Sequence, residues 1–271
     1  RWDMPILQDP SPVGPADYLL VESTYGNRLH GQTSDIPGEL AEIINSTTEA
    51  GGNIVIPSFA VERTQELLYF LALLSSENKI PNLRIFVDSP MAAKVSTVFV
   101  HHPYLFDSET IKLARVLRVS NVTTVRSSRE SKAINHIRGS VIIISGSGMC
   151  TGGRIKHHLT HNIGRKESTV LFVGYQAANT LGREILEGAE KVRILGEEYE
   201  VNARIAKING FSAHADQKEL LRWMDMIEGT PKKVFVTHGE PDGANALRDI
   251  IEEHKGWNAQ VAQYQEVVEL D

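Results

Sequence analysis

Four places in the sequence put a chemically useful group at the end of an apolar, strand-like run. Tyr18-Leu19-Leu20-Val21 leads into Glu22 and then a small polar turn ending at Gly26. A carboxylate in that position is costly to bury unless it is paired, so Glu22 needs a partner. Two histidines are candidates: His214 in GFSAHAD and His238 in VFVTHGE. An imidazole at a strand end can bind zinc, donate to a carboxylate or cap a helix. Taken singly, each residue also has a plain structural reading. His214 fits a helix-start position with Asp216 nearby, His238 an ordinary strand end, and Glu22 an ion-pair partner. The fourth place is SGSGMCTGG, after VIII, with four glycines in nine residues. Its backbone N–H groups can form a nest for a phosphate. It matches neither the Walker A pattern nor the dinucleotide fingerprint.

These groups need a scaffold that gathers strand ends, and the pattern along the chain supplies one. Strand-like runs YLLVE, NIVIPSF, RIFVDS, NVTTV, SVIIIS and STVLFVGY alternate with helical stretches. The helices are expected at Gly38–Glu49, Val61–Ser75, from Met91 to a break at Pro103, and near Ser108–Leu117, with two short basic helical segments after them. Continuous apolar runs mark strands covered on both faces, as in parallel sheets. Such alternation predicts an α/β layered fold, in which ligands collect at the carboxyl ends of strands. Near residue 190 the style changes. KVRILGEEYEVNARIAKING reads as an antiparallel hairpin across Gly196, followed by a helix from FSAHADQKELL, a strand in KKVFV and a helix closed by Gly256.

Bulk composition sets limits. The 271 residues are 41% hydrophobic and 23% charged, which is ordinary globular composition. No stretch approaches the roughly 18–20 apolar residues of a membrane span. Cys150 is the only cysteine, which excludes an intrachain disulfide framework and points to a reducing, cytoplasmic setting. The net charge of −6 argues against a uniformly basic nucleic-acid binder. The charge is uneven, however. Residues 154–166 hold Arg154, Lys156, Arg165 and Lys166 with no acid, and residues 126–138 hold four basic groups against one acid. Each stretch reads equally as a solvated helix face.

In combination, ESTYGNR, SGSGM-x-TGG, GYQAANTLGRE, GFSAHAD and VTHGE resemble the β-CASP branch of the metallo-β-lactamase superfamily, the RNA-processing nucleases. The resemblance implies a β-CASP domain, at about residues 27–210, inserted into a metallo-β-lactamase αββα domain whose remaining parts are residues 1–26 and 211–271. It implies a zinc-dependent ribonuclease acting in RNA processing or decay, on RNA that is more naturally single-stranded, with two Zn2+ in the complete protein. Glu22 would be the motif A acid and His214 the motif B histidine beside the scissile phosphate. His238 would be the motif C zinc ligand. Gly146, Ser147, Gly148 and Ser212 would contact the substrate. A homodimer is a further expectation, and no membrane association.

The family's main metal motif, His-x-His-x-Asp-His, is absent from these residues. Of the expected ligands only His238 is present, whereas a catalytic zinc site takes three protein ligands. The expectation is therefore a C-terminal portion, inactive by itself, whose missing half lies in the same or another chain. The rival expectation is a catalytically silent RNA-binding scaffold subunit of the same family. Retention of Glu22, His214 and His238 together favours the enzyme.

Overall fold

The chain begins and ends in one unit and spends its middle in another. The computed structural model describes residues 1–30, 35–108, 110 and 121–271. Residues 1–4, 8–30 and 213–271 make the first unit, and residues 5–7 and 31–212 the second. These limits differ by a few residues from the 27–210 expected for an insert. Pro5–Leu7 joins the second unit because Ile6 is buried in its core and Leu7 bridges Phe106.

The apolar runs form strands as their patterns require. After β1 (Tyr18–Glu22) the second unit runs α1 (Ile36–Glu49), β2 (Ile54–Pro57), α2 (Arg63–Ser76), β3 (Arg84–Asp88) and α3 (Pro90–His101). Next come β4 (Val122–Thr124), α4 (Ser128–Ile134), β5 (Val141–Ser145), α5 (Ile155–Asn162), β6 (Thr169–Phe172) and α6 (Leu181–Leu186). The helix expected near Ser108–Leu117 lies almost wholly outside the described residues. Five of these strands and a sixth, β9 (Arg204–Lys207), form one sheet in the order β4-β3-β5-β2-β6-β9, every pair parallel. Alternate side chains feed two cores. Ile54, Ile56, Ile142 and Ile144 face α1 and α2 through Leu40, Ile44, Leu67 and Leu71. Val55, Ile143, Val170 and Phe172 face α4, α5 and α6 through Ile134, Ile155, Leu159 and Ile185. Both faces are covered, which is why these strands read as unbroken apolar runs.

The hairpin across Gly196 forms from β7 (Lys191–Ile194) and β8 (Glu197–Glu200), antiparallel. It ends sooner than the alternation through Ile205 suggests. The N–H groups of Asn202 and Ala203 both donate to the Ile163 carbonyl, at 2.9 and 2.8 Å, and this turns the chain onto β6 as a parallel neighbour.

A polar knot lies under the second unit's outer helices. Asp88, at the end of β3, is fully buried. Its carboxylate accepts from Arg154 Nη1 at 2.6 Å and Ser131 Oγ at 2.5 Å, and meets His158 Nε2 at 2.7 Å. Burial pushes the Asp88 carboxyl up, but the bonds from His158, Ser131 and Arg154 outweigh it and hold the group below its usual range. The knot ties β3 to α4 and α5, elements separated by 43 to 70 residues in sequence.

The first unit is smaller. After α7 (Gln217–Met224) come β10 (Lys233–Thr237), α8 (Pro241–Lys255) and β11 (Ala259–Val261). A parallel sheet β1-β10-β11 packs Leu19, Val21, Val234 and Val236 against Leu220, Met224, Leu247 and Ile251. Asp216 and Glu219 form a capping box that starts α7. Gly256, at φ 63°, ends α8 in the left-handed conformation that glycine tolerates best. The polar turns after β1 and β10 are locked by close approach. Ser23 Oγ donates to the Thr237 carbonyl at 2.8 Å. A Cβ on Gly26 would meet the Gly243 carbonyl oxygen at 2.3 Å, and one on Gly243 would meet the Ser23 carbonyl oxygen at 2.7 Å.

Two predictions test these locks. Gly26→Ala or Gly243→Ala is expected to lower unfolding stability by about 1–3 kcal/mol, since backbone must shift to admit the methyl group; denaturant titration checks this. Asp88→Asn is expected to cost about 3–5 kcal/mol near neutral pH by leaving the largely buried Arg154 guanidinium uncompensated. Because the folded-state pKa is lowered, that difference is complete above the ordinary value near 3.8. It shrinks as pH falls through the lower folded value. Equal stability of the two proteins at neutral pH would refute the role of the knot.

Candidate active site

Parallel pairing of β1 with β10 sets Glu22 opposite Thr237, and this register brings the end of β1 beside His238. His214 arrives from the turn before α7. Glu22 Oε2 and His214 Nδ1 are 2.5 Å apart. His238 Nδ1 lies 3.9 Å from the same oxygen, and the two imidazoles stand 5.4 Å apart, centre to centre. One ligand-type atom from each of Glu22, His214 and His238 falls within 4.8 Å of the others. Burial pushes the Glu22 carboxyl up. The hydrogen bond and charge of His214 outweigh burial, with help from Thr24 and His238, and hold it below the usual carboxylate range. So Glu22 is ionised and its partner is His214.

His238 is held by its backbone more than by its ring. It sits at φ 52°, an uncommon conformation for a residue with a side chain. Thr24 Oγ1 donates to its carbonyl at 3.0 Å and stands 3.3 Å from Nδ1. The side chain is 69% exposed. An exposed imidazole beside a carboxylate and a second histidine is a donor set of the kind that could hold zinc.

A second cluster, His30, Asp216 and Glu219, also brings ligand-type atoms within 4.8 Å. Its donors are otherwise engaged. Asp216 accepts the His30 N–H at 2.8 Å and the Glu219 N–H at 2.8 Å, while Glu219 accepts the Asp216 N–H at 3.1 Å and faces Arg1. His30 Nε2 lies 2.9 Å from the His214 carbonyl oxygen, and the Tyr25 ring packs edge-on against both His30 and His214. The cluster braces the turn that carries His214. Sequence reasoning missed His30 and Tyr25: neither ends an apolar run, and their partners come from far along the chain.

The second unit carries its own pocket, of about 620 Å³, at the carboxyl ends of β2, β3 and β5. Gly146, Ser147 and Gly148 line it with Ser58, Phe59, Ser89, Lys94 and Arg154. Gln176, from GYQAANTLGRE, is buried and donates from Nε2 to the Gly148 carbonyl at 2.9 Å, fixing the glycine loop. Gly182 leaves room for that amide, since a Cβ there would fall 1.8 Å from Gln176 Oε1. Phe59 packs against Gly148 and Gly174. Ser212 closes the second unit and does not line this pocket. Phe59, Lys94 and Arg154 were not singled out in sequence as pocket residues because they come from three separate elements.

A Beta-Casp domain model matches residues 64–185, and a model described as a Zn-dependent metallo-hydrolase RNA specificity domain matches residues 198–262. The chain is 38% identical to a protein named Ribonuclease TTHA0252 from Thermus thermophilus, over 91% of this chain and 57% of that protein. It is 31% identical to an RNase J-like protein of Methanocaldococcus jannaschii, over 87% of this chain and 55% of the relative. With a protein named transcription termination factor FttA from the same organism it shares 29% identity, over 86% of this chain and 38% of the relative. The chain thus spans between about a third and three fifths of the length of these relatives. With both domain models, the shared sequence and the strand-end carboxylate and histidines in place, the chain belongs to the β-CASP family of metallo-β-lactamase-type nucleases.

Proposed function

We propose that this chain carries the RNA-holding domain and part of the catalytic centre of a zinc-dependent ribonuclease. The 2.5 Å pairing of Glu22 with His214 Nδ1 carries the reading. A carboxylate on Nδ1 fixes the ring and makes Nε2 the nitrogen for proton transfer. His214 then acts as general acid, handing a proton to the ribose oxygen that departs when the phosphodiester bond breaks. A group so positioned typically contributes about 10²–10⁴-fold. Glu22 keeps its charge throughout and stabilises the ring while it carries the proton. His30 and Tyr25 hold the His214 turn in place.

His238 would supply a zinc ligand, and further ligands would come from residues outside this chain. When bound, zinc would neutralise phosphate charge and lower the pKa of an attacking water. Two ions in the complete protein are part of this proposal. Residues 5–7 and 31–212 would be the β-CASP insert, and the first unit a part of the metallo-β-lactamase domain. Within the insert, Gly146, Ser147 and Gly148 would hydrogen-bond phosphate oxygens or a neighbouring nucleotide, and Ser212 would do the same from the end of the unit. The relatives named as a ribonuclease and as RNase J-like support RNA as the substrate class.

In the complete protein, Glu22→Gln and His214→Ala are each expected to slow cleavage of single-stranded RNA by about 10²–10⁴-fold while bound zinc is retained. His238→Ala is expected to lower zinc content as well as rate. Zinc analysis alongside single-turnover cleavage separates the two roles. Unchanged zinc in the His238 variant would refute its ligand role. Failure of the unaltered complete protein to cut RNA would favour the scaffold reading.

A further inference from the structure

The two basic stretches that read separately as solvated helix faces are neighbours. Ile134 of α4 and Ile155 and Leu159 of α5 enter the same core beneath the sheet, so the opposite sides of both helices face outward together. Polar bonds fix them side by side. Arg154 Nη2 donates to the Arg126 carbonyl at 3.1 Å, and His158 Nδ1 meets Asn135 Oδ1 at 3.0 Å. The first contact aligns the starts of the two helices; the second aligns the middle of α5 with the end of α4.

The outward surface is cationic. Arg126, Arg129, Lys132 and Arg138 are exposed around α4, and Lys156 is partly exposed on α5. Arg129 and Lys132 occupy i and i+3 on one face of α4. The one carboxylate on either helix, Glu130, accepts the backbone N–H groups of Arg126 and Ser127 at 2.9 Å and caps α4. Among the described residues, ion pairs here take up Arg154 and Arg165, and Arg126 shares the charge of Glu130, which leaves Arg129, Lys132, Arg138 and Lys156 without an ion-paired carboxylate. Grouped like charges are unfavourable in the isolated protein, and they stand out on a chain of net charge −6. Arg154 joins this surface to the glycine-loop pocket, which it also lines.

We propose that the outward face of α4 and α5 binds the phosphate backbone of single-stranded RNA and leads it past Arg154 to the pocket. The proposal rests on the RNA-cleaving reading above and adds a binding surface separate from the Glu22–His214–His238 centre. Recognition would be electrostatic and tolerant of sequence, because Lys and Arg contacts to phosphate position the strand without reading bases. Each such contact releases counterions, so the affinity must depend on salt.

The test uses the complete protein and an oligouridylate long enough to span both helices. Binding is measured across a salt series for the unaltered protein and for Arg129→Gln/Lys132→Gln/Arg138→Gln. A control, Lys79→Gln/Lys191→Gln/Arg193→Gln, removes three cations elsewhere in the second unit. The slope of log affinity against log salt is expected to fall by about 0.7 per lost contact, so by about 2 in the α4 variant, with Kd raised at least about tenfold. The control is expected to keep the unaltered slope. An unchanged slope in the α4 variant, or an equal loss in the control, overturns the proposal. Retained RNA slope with lost binding to polyaspartate also overturns it, and assigns the face to an acidic protein partner. Cleavage by the unaltered protein is scored separately. A slope loss without cleavage sustains the face and removes the ribonuclease reading; cleavage with an unchanged slope does the reverse.

Discussion

A carboxylate at the end of a parallel strand has to be paired, and that requirement organises the first unit. Glu22 is drawn to His214 by charge and hydrogen bonding strong enough to outweigh the cost of burial. The pairing works only if the turn after β1, the turn after β10 and the turn before α7 hold their places together. Each is secured differently. Ser23 bonds to Thr237, Gly26 and Gly243 allow backbone to approach backbone, and the Asp216–Glu219 capping box with His30 fixes the third turn. Short motifs such as ESTYG and VTHGE are thus packing solutions as much as lists of reactive groups.

The second unit solves a similar problem at Asp88. Here the strand-end carboxylate has no exposed surface, and its bonds to Arg154, His158 and Ser131 tie three elements together. Both carboxylates end parallel strands and both meet a histidine. Glu22 and its partner His214 both keep about a third of their side chains open to solvent. His158 is fully enclosed, so it serves packing. The difference lies in access, not in residue type.

That contrast explains what the sequence makes legible. The parallel sheet is plain from runs such as VIIIS and TVLF, because burial on both faces leaves an unbroken apolar signature. Glu22 and His238 stand out because each follows such a run, and His214 because it sits in the short polar turn that opens a helix. The brace from His30 and Tyr25, the Asp88 knot and the loop clasp by Gln176 leave no such trace, since their partners lie tens to hundreds of residues away. β11 is short, with Gln260 at its centre, and gains its place only by pairing with β10. Alternation through Ile205 extends the hairpin pattern onto β9, but two hydrogen bonds to Ile163 redirect it. The basic stretches looked like two ordinary surfaces until the fold set them next to each other.

The central claim is that Glu22 acts through His214. A double-mutant cycle on single-turnover RNA cleavage by the complete protein tests it most directly. The account predicts that Glu22→Gln added to His214→Ala slows the reaction little further than His214→Ala alone, because the carboxylate has lost the ring it orients. Losses that simply multiply would show that the two residues act independently, and would contradict the account.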